Sequence, residues 1–441
     1  MNATTNPPGP PARARSDRSP AISAPSANGS TGHHGYAESR RLFARASRVT
    51  PGGIYGHTSP ALTVPGDFPY YAARAEGGRY WDVDGNEYID YMCSYGPVVL
   101  GHHHPEVEAA VDRQRRAGDC FNHPTEAMVE LAERLVDLVD FGDWAVLGKN
   151  GSDMTTWAIR VAREFTGRKI ILRVRHSYNG AHAWCSPGHG GLVAEDRAHV
   201  QAFDWNNLDE LRDLVRRHRG QVAALIASPF HHPSFGDSVM PAPGFWAGVQ
   251  ETCRKEGIVL ILDDVRAGFR LHLGGSHRVF GFEPDLICFS KALGNGHAIA
   301  ATVGRAELKV AASRVFLTGS FWFNAVAMRA ALATLAVLER DDGVGRMRRT
   351  GEQLMAGLQE RALRHGLKVI VSGPPAVPFL RFADETDWRR QQLFCTEIAR
   401  RGVFFHPHHN WFVCTAHTAE DVAETLAAAD AAFAVVSDAT A

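Results

Sequence analysis

Residues 258–265 read Ile-Val-Leu-Ile-Leu-Asp-Asp-Val, and residues 286–294 read Leu-Ile-Cys-Phe-Ser-Lys-Ala-Leu-Gly. Each is a short, unbroken apolar run that ends abruptly on charged or hydroxyl residues. A run of that length without polar alternation is a strand buried on both faces. Burial on both faces requires helices on both sides, and hence a mostly parallel sheet. In such sheets ligands bind beyond the carboxyl ends of the strands. Asp263, Asp264 and Lys291 therefore stand where a site is expected.

The same pattern repeats outward from these two stretches. Trp144–Leu147, Lys169–Val174, Val222–Ser228, Ile258–Asp263, Leu286–Phe289 and Ala300–Val303 read as strands, with helical stretches between them. The expectation is an α/β fold with a large domain over residues 100–330. Near Thr334 a long helix begins and runs to about Glu360–Arg364. An α+β segment follows and ends in the helix Ala419–Val435. Upstream, a helix starts at Tyr36 with Leu42, Phe43 and Val49 on one side, and stops near Pro51-Gly52-Gly53. Residues 79–90 read as two strands around the turn Asp84-Gly85-Asn86. A smaller domain is expected from both chain ends, 36–99 with 331–441. Residues 1–35 are rich in Pro, Ser, Ala, Gly and Asn and are expected to form a disordered tail.

The chain has 441 residues, of which 45% are hydrophobic. That is enough for one large core and a smaller one. Lys plus Arg is 47 and Asp plus Glu is 48, a net charge of −1. Such a balance gives no electrostatic reason to expect nucleic acid or an anionic membrane as partner. No apolar run is long enough to span a bilayer, and the N-terminus lacks the basic-then-apolar pattern of a secretion signal. The seven cysteines are scattered, odd in number and without a CxxC. Reduced thiols in a cytoplasmic protein are the expectation.

Four segments carry chemistry. A lysine at the end of a buried strand is costly unless it is paired or chemically used. Its amine can form an imine with an aldehyde cofactor. Pyridoxal 5'-phosphate (PLP) is such a cofactor, and it draws electrons only while a carboxylate keeps its ring nitrogen protonated. Lys291 and Asp263 have the chemistry for both ends. A buried ion pair between Lys291 and Asp263 or Asp264 fits the two residues equally well. Asn150-Gly151-Ser152-Asp153 precedes a helix over Thr155–Phe165, and free N–H groups at a helix start hold phosphate; an ordinary helix cap also fits. Ser177-Tyr178-Asn179-Gly180 follows a strand, and its aromatic has the shape to stack on a ring or simply to pack in a turn.

The order decides: phosphate loop, aromatic, Asp and Lys, each after its own strand. As a set these segments resemble the class III, fold type I PLP-dependent aminotransferases, in particular the branch around glutamate-1-semialdehyde aminomutase. The resemblance runs from about Val49 to the C-terminus. It includes Thr50-Pro51-Gly52-Gly53, residues 80–91, Gly96-Pro97 with Gly101-His102, residues 158–163, Thr166-Gly167-Arg168 and Gly268-Phe269-Arg270. It implies Lys291 as the Schiff-base lysine, Asp263 against the pyridine nitrogen, Tyr178 over the ring, and Gly151 and Ser152 on the phosphate. Gly319 and Ser320 match a Gly-Thr that reaches the phosphate of the partner subunit, which implies a homodimer with shared active sites.

The chain also departs from that pattern. Asp153, Asp264, Asn179 and Ala325 replace the usual Glu, Glu, His and Pro. The aminomutases carry a carboxylate-binding Arg after Pro51-Gly52-Gly53, and here residues 54–59 read Ile-Tyr-Gly-His-Thr-Ser. The two-pronged contact of such an Arg is missing. The resemblance therefore implies an aminotransferase, taking an amino donor and a carbonyl acceptor as small-molecule substrates. An aminomutase and a non-catalytic dimerisation or binding module of the same fold are the alternatives. Substrate contacts are expected from Tyr55, His57, Tyr95 and Trp322, with Arg381 as a substitute clamp or a surface arginine. These aromatics and the missing Arg suggest a cyclic or aromatic carbonyl from a biosynthetic pathway as acceptor. His102-His103-His104 lies in the Gly-His-x-x-Pro turn of the resemblance and reads as structural; His231-His232 and His406, His408 and His409 lack zinc-finger cysteine spacing, His231-His232 after the strand end at Ser228 is a weak candidate for substrate contact, and no metal is expected. Gly294-Asn295-Gly296 lacks the third glycine of a dinucleotide loop.

Overall fold

The computed structural model describes residues 35–54, 68–69 and 71–439. The expected tail, apart from Gly35, and the candidates Tyr55 and His57 lie outside the described residues.

After the helix Ala37–Ala46, strands β1 (Ala72–Glu76), β2 (Arg79–Asp82) and β3 (Glu87–Asp90) form an antiparallel ribbon. Its turn is held by Asp82, whose Oδ1 accepts from the N–H groups of Asp84 and Asn86. Val49, expected on the helix's buried side, falls beyond the helix end and is 83% exposed. The helix is anchored instead by buried Tyr36 and by Ser39, whose N–H donates to Asp84.

The central sheet comprises β4 (Trp144–Gly148), β5 (Ile170–Val174), β6 (Val200–Phe203), β7 (Val222–Ala227), β8 (Val259–Asp263), β9 (Leu286–Phe289) and β10 (Ala300–Gly304). Their spatial order is β4-β10-β9-β8-β7-β5-β6. All neighbours are parallel except those of β10, which runs antiparallel to both β4 and β9. Every residue of β7, β8, β9 and β10 is buried, as unbroken apolar runs require. Six of these strands match the expected stretches. β6 was not foreseen, because Val200-Gln201-Ala202-Phe203 is a short edge strand with no clear pattern.

The expected long helix is two helices, Ala325–Arg340 and Gly343–Arg364. Asp342 at the break has φ +48 and caps the second helix by accepting from Gly345 N–H. Beyond it come β11 (Val369–Ser372), β12 (Phe379–Phe382), β13 (Val403–Phe404) and the helix Ala419–Asp438. β13 pairs in parallel with β3, so the two ends of the chain share one sheet.

Two side chains tie the central sheet to its surroundings. The fully buried guanidinium of Arg270 donates to the carbonyls of Gly96, Val98 and Val413. The amide of Asn295, from the segment with nucleotide-loop appearance, bonds the N–H groups of Val99 and Leu100 and the carbonyl of Gly101. His102 is likewise structural and bonds Asp90 at 2.9 Å.

Candidate active site

The carboxyl ends of β8 and β9 open into a cavity of about 350 Å³. β9 delivers Lys291, whose φ of +41° lies in the left-handed region that a side chain rarely adopts. Its Nζ donates 2.8 Å to the carbonyl of Tyr95. That carbonyl belongs to a strained run: Cys93, Ser94 and Tyr95 have φ of 46°, 56° and 62°. Burial, then the nearby Arg266 and Arg270, pull the Lys291 amine down to about 7. A large fraction of it is thus a neutral nucleophile near neutral pH.

β8 delivers Asp263, which is buried and lines the same cavity. Its Oδ2 accepts from Asn179 Nδ2 at 2.8 Å and its Oδ1 from Val265 N–H at 3.3 Å. Among the described residues it forms no ion pair, so the reading as a structural Asp263–Lys291 salt bridge is set aside. Burial pushes its pKa up. Asp264 is absent from the cavity wall; it accepts from Ser276 N–H at 2.8 Å, and burial lifts it to about 7. Of the two neighbouring carboxylates, only Asp263 faces the site.

The third component is the start of the helix Gly151–Thr166. Asn150 and Asp153 cap each other, Asn150 Oδ1 accepting from Asp153 N–H and Asp153 Oδ2 from Asn150 N–H, both at 3.1 Å. The N–H groups of Gly151 and Ser152 have no partner among the described residues. Glycines make the space: a Cβ on Gly180, at φ +128°, would stand 2.8 Å from Ser152 Oγ, and one on Gly151 2.7 Å from Val265. Two free amides at a helix start form a cradle for an anion. Cradle, uncompensated carboxylate and depressed amine lie around one cavity, and they fit the phosphate, ring nitrogen and aldehyde of PLP.

Tyr178 lines the cavity and is 38% exposed at its mouth. Tyr95 is not on the cavity wall; its carbonyl accepts from Lys291 Nζ behind that wall, while its ring packs on His406 and His409. Gly319, Ser320 and Trp322 are not on this cavity wall; Ser320 is exposed. Arg381 is not on it either. It is locked by Asp237 through bonds of 3.0 and 2.8 Å and by the carbonyls of Phe382 and Glu385.

Three cavity residues had no assigned role or only a weak one. Asn179 sits in the turn that was singled out for Tyr178. Arg266 follows Asp263 by three residues. His232 lies past the end of β7, where strand-end position was the only signal. Cys93, Cys414 and His417 bring ligand atoms within 4.8 Å of one another. Both His417 ring nitrogens are already engaged, with Cys414 N–H and the Asp90 carbonyl.

The profile of the family Aminotransferase class-III matches residues 63–419. The chain belongs to this family of PLP-dependent, fold type I enzymes. It is 44% identical to the aminopentol aminotransferase of Sphingopyxis macrogoltabida, over 90% of this chain and 93% of that one. It is 37% identical to the 3-aminobutyryl-CoA aminotransferase of Cloacimonas acidaminovorans, over 89% and 95%. The glutamate-1-semialdehyde 2,1-aminomutase of Chloroflexus aggregans is more distant, at 34% over 90% and 98%. The PLP-bound FumI protein of Sphingopyxis sp. MTA144 superposes with a TM-score of 0.88 at 43% identity, covering 90% of this chain and 96% of that chain. The chain is a PLP-dependent aminotransferase, which moves an amino group from a donor to a carbonyl acceptor.

Proposed function

We propose that Lys291 holds the cofactor, Asp263 keeps its ring nitrogen protonated, and Gly151 and Ser152 bind its phosphate. The observation that carries this assignment is the depressed Lys291 amine on one cavity with a buried carboxylate that forms no ion pair among the described residues. When bound, PLP supplies an aldehyde that condenses with amines and a protonated ring that draws electrons from the substrate carbon. Asp263, fixed by Asn179, presents the negative charge that holds the ring proton. With PLP bound, Lys291 Nζ would take the proton from the substrate carbon and deliver it to the cofactor carbon that receives the nitrogen. Tyr178 covers the ring and limits water at the mouth.

The donor in this proposal carries its amine on a chain without a carboxylate beside it. The names of the two aminotransferase relatives, an aminopentol and a 3-aminobutyryl thioester enzyme, support this. So does the engagement of Arg381 by Asp237. The enzyme works as a homodimer, with Gly319 and Ser320 reaching the partner's phosphate, and residues 36–99 and 331–441 form the small domain beside 100–330. A reducing cytoplasm suits its seven free cysteines, six of them buried. No helix among the described residues is long and apolar enough to cross a membrane.

The test is a donor screen that sets long-chain amines and 3-amino acyl thioesters against α-amino acids. Turnover confined to α-amino acids would defeat the donor class. Glutamate-1-semialdehyde supplied alone should give no 5-aminolevulinate, since a transaminase needs a separate donor.

A further inference from the structure

The cradle at the start of the helix Gly151–Thr166 is built from neutral groups. Gly151 and Ser152 offer two amide N–H groups, and a helix start acts as roughly half a positive charge. The Ser152 hydroxyl is already used, accepting from Ala181 N–H at 3.0 Å. A phosphate monoester carries about −1.5 to −2 charges near neutral pH. Amides and dipole together thus leave about one negative charge or more without a counter-ion. Ser320 arriving from a partner would add a hydroxyl and no charge.

Lys149 stands beside this cradle. It follows β4, immediately precedes the helix cap Asn150, and lines the same cavity. It is half-buried and forms no ion pair among the described residues. Its one hydrogen bond, from Nζ to the carbonyl of Ala298, is 3.5 Å long, at the outer limit of such a bond. Burial pulls its pKa down, as befits an ammonium withdrawn from water without a carboxylate. The other cations of the wall are placed elsewhere. Lys291 follows β9 and Arg266 follows β8, and β10 and β9 both lie between β4 and β8. His297 already faces Glu108, 3.8 Å away. Residue choice points the same way. Of the 47 Lys and Arg residues only six are Lys, and two of those six, Lys149 and Lys291, line this one cavity. Lys291 is a lysine because only an amine forms the imine. At Lys149 a compact point charge is what a phosphate oxygen needs where two backbone amides already fix its direction.

We propose that Lys149 is the counter-cation of the cofactor's phosphate, supplying the positive charge that the amides of Gly151 and Ser152 lack. This rests on the reading of those two residues as the phosphate cradle and completes it. Lys149 binds and positions the cofactor; it takes no part in moving protons at the substrate carbon.

The test compares PLP with pyridoxal, which has the same ring and aldehyde and no phosphate. Both are titrated into the cofactor-free full-length enzyme and followed by visible absorbance, with inorganic phosphate as a competing probe. The native enzyme should prefer PLP by at least about 100-fold. Lys149→Met should lose about 10- to 100-fold of its PLP affinity, the worth of a hydrogen bond between charged groups. Its affinity for pyridoxal should stay within about twofold of native, which also shows that the fold and Lys291 are intact. Competition by inorganic phosphate should weaken in parallel. Lys149→Arg should recover most of the PLP affinity, and Lys149→Gln carries the comparison if Lys149→Met does not fold. With PLP bound, the phosphorus NMR signal of the native enzyme should stay constant as pH is lowered through about 6, the ordinary phosphate pKa, because the dianion is held by a cation. In Lys149→Met the signal should move as the phosphate takes up a proton. A Lys149→Met protein that keeps the native preference for PLP over pyridoxal overturns the proposal and leaves the cradle standing. Equal losses for PLP and pyridoxal also overturn it, since Lys149 would then act on the fold alone. A native enzyme with no preference for PLP would overturn the cradle reading and this proposal together.

Discussion

The side-chain amide of Asn179 donates to Oδ2 of Asp263 at 2.8 Å. This bond fixes both the orientation and the charge of the carboxylate at the centre of the site. Asn179 is held in turn, its Oδ1 accepting from Ser177 Oγ at 3.0 Å and its carbonyl from Thr155 Oγ1 at 2.7 Å. The donor favours the charged form of Asp263 against burial. Asn179→Ala should therefore raise the carboxyl pKa further and weaken its hold on a protonated ring. We expect PLP affinity to fall about 10- to 100-fold, measured by equilibrium dialysis and the visible absorbance of the protein. Unchanged affinity would mean that Val265 N–H alone orients the carboxylate.

Asp263→Asn removes the charge and keeps the shape. Turnover should drop by about two orders of magnitude or more while the fold survives, checked by steady-state kinetics beside thermal unfolding. Near-native activity would show that another group holds the ring nitrogen.

Lys291 should carry the pyridoxyl label after borohydride reduction and peptide mapping, and Lys291→Ala should lose about 100- to 10,000-fold in turnover. A label on another lysine would sink the assignment. The depressed amine also sets a pH dependence. Its pKa is lowered to about 7, so the reactive neutral form grows as pH rises and saturates above that value. The rate at which cofactor-free enzyme captures PLP should climb about tenfold per pH unit below 7 and level off above it. A rate still climbing at pH 9 would place the amine near its ordinary value.

Much of this site was legible in the sequence because each strand end is a local signal. An apolar run that stops on Asp263 or on Ser290-Lys291 marks both a strand and a candidate site residue. The break between the two long helices has its own local signal, Asp341-Asp342-Gly343, set inside a helical pattern that runs on either side of it. What could not be read is pairing across the fold. Arg381 sat in a recognisable strand, but its partner Asp237 is 144 residues away. His232 and Arg266 lie 34 positions apart in sequence and meet only because β7 and β8 are neighbours.

Asp264 predicts a separate pH effect on stability. Its pKa is raised to about 7 in the folded protein, from an ordinary 3.8. The folded state therefore holds this proton more tightly than the unfolded one. The associated stability is present in acid and is lost as pH rises through about 7, amounting to roughly 4 kcal/mol at full ionisation. Asp264→Asn keeps an oxygen to accept from Ser276 N–H but cannot ionise. Between pH 4.5 and 7.5 its melting temperature should fall less than that of the native protein, and above that range the two curves should run parallel. Parallel curves between pH 4.5 and 7.5 would show that Asp264 carries the same charge in the folded and unfolded protein across that range, its pKa not raised by folding.

The assembly prediction rests on the segment that carries Gly319 and Ser320. Phe316 is 73% exposed and Phe321 66%, with Phe323 beside them at 36%. Three phenylalanines presented to water along eight residues form an apolar patch of the kind that marks a protein interface. The loop is also shaped internally: a Cβ on Gly319 would lie 2.1 Å from the Trp322 ring, so only glycine fits there. A loop with exposed phenylalanines and a hydroxyl, placed off its own cavity, suits delivery of Ser320 to a second subunit. If so, dimerisation and cofactor retention are linked, because PLP bound across the interface stabilises the dimer by mass action. Phe316→Asp combined with Phe321→Asp should shift the protein to monomer in analytical ultracentrifugation. The same variant should lose PLP on dialysis at least about tenfold faster than the native enzyme. Ser320→Ala, which leaves the apolar patch intact, should stay dimeric and weaken PLP binding about 10- to 100-fold, the worth of one hydrogen bond to a charged group. A monomer that keeps its cofactor and full activity would separate the loop from the phosphate and end the shared-site proposal.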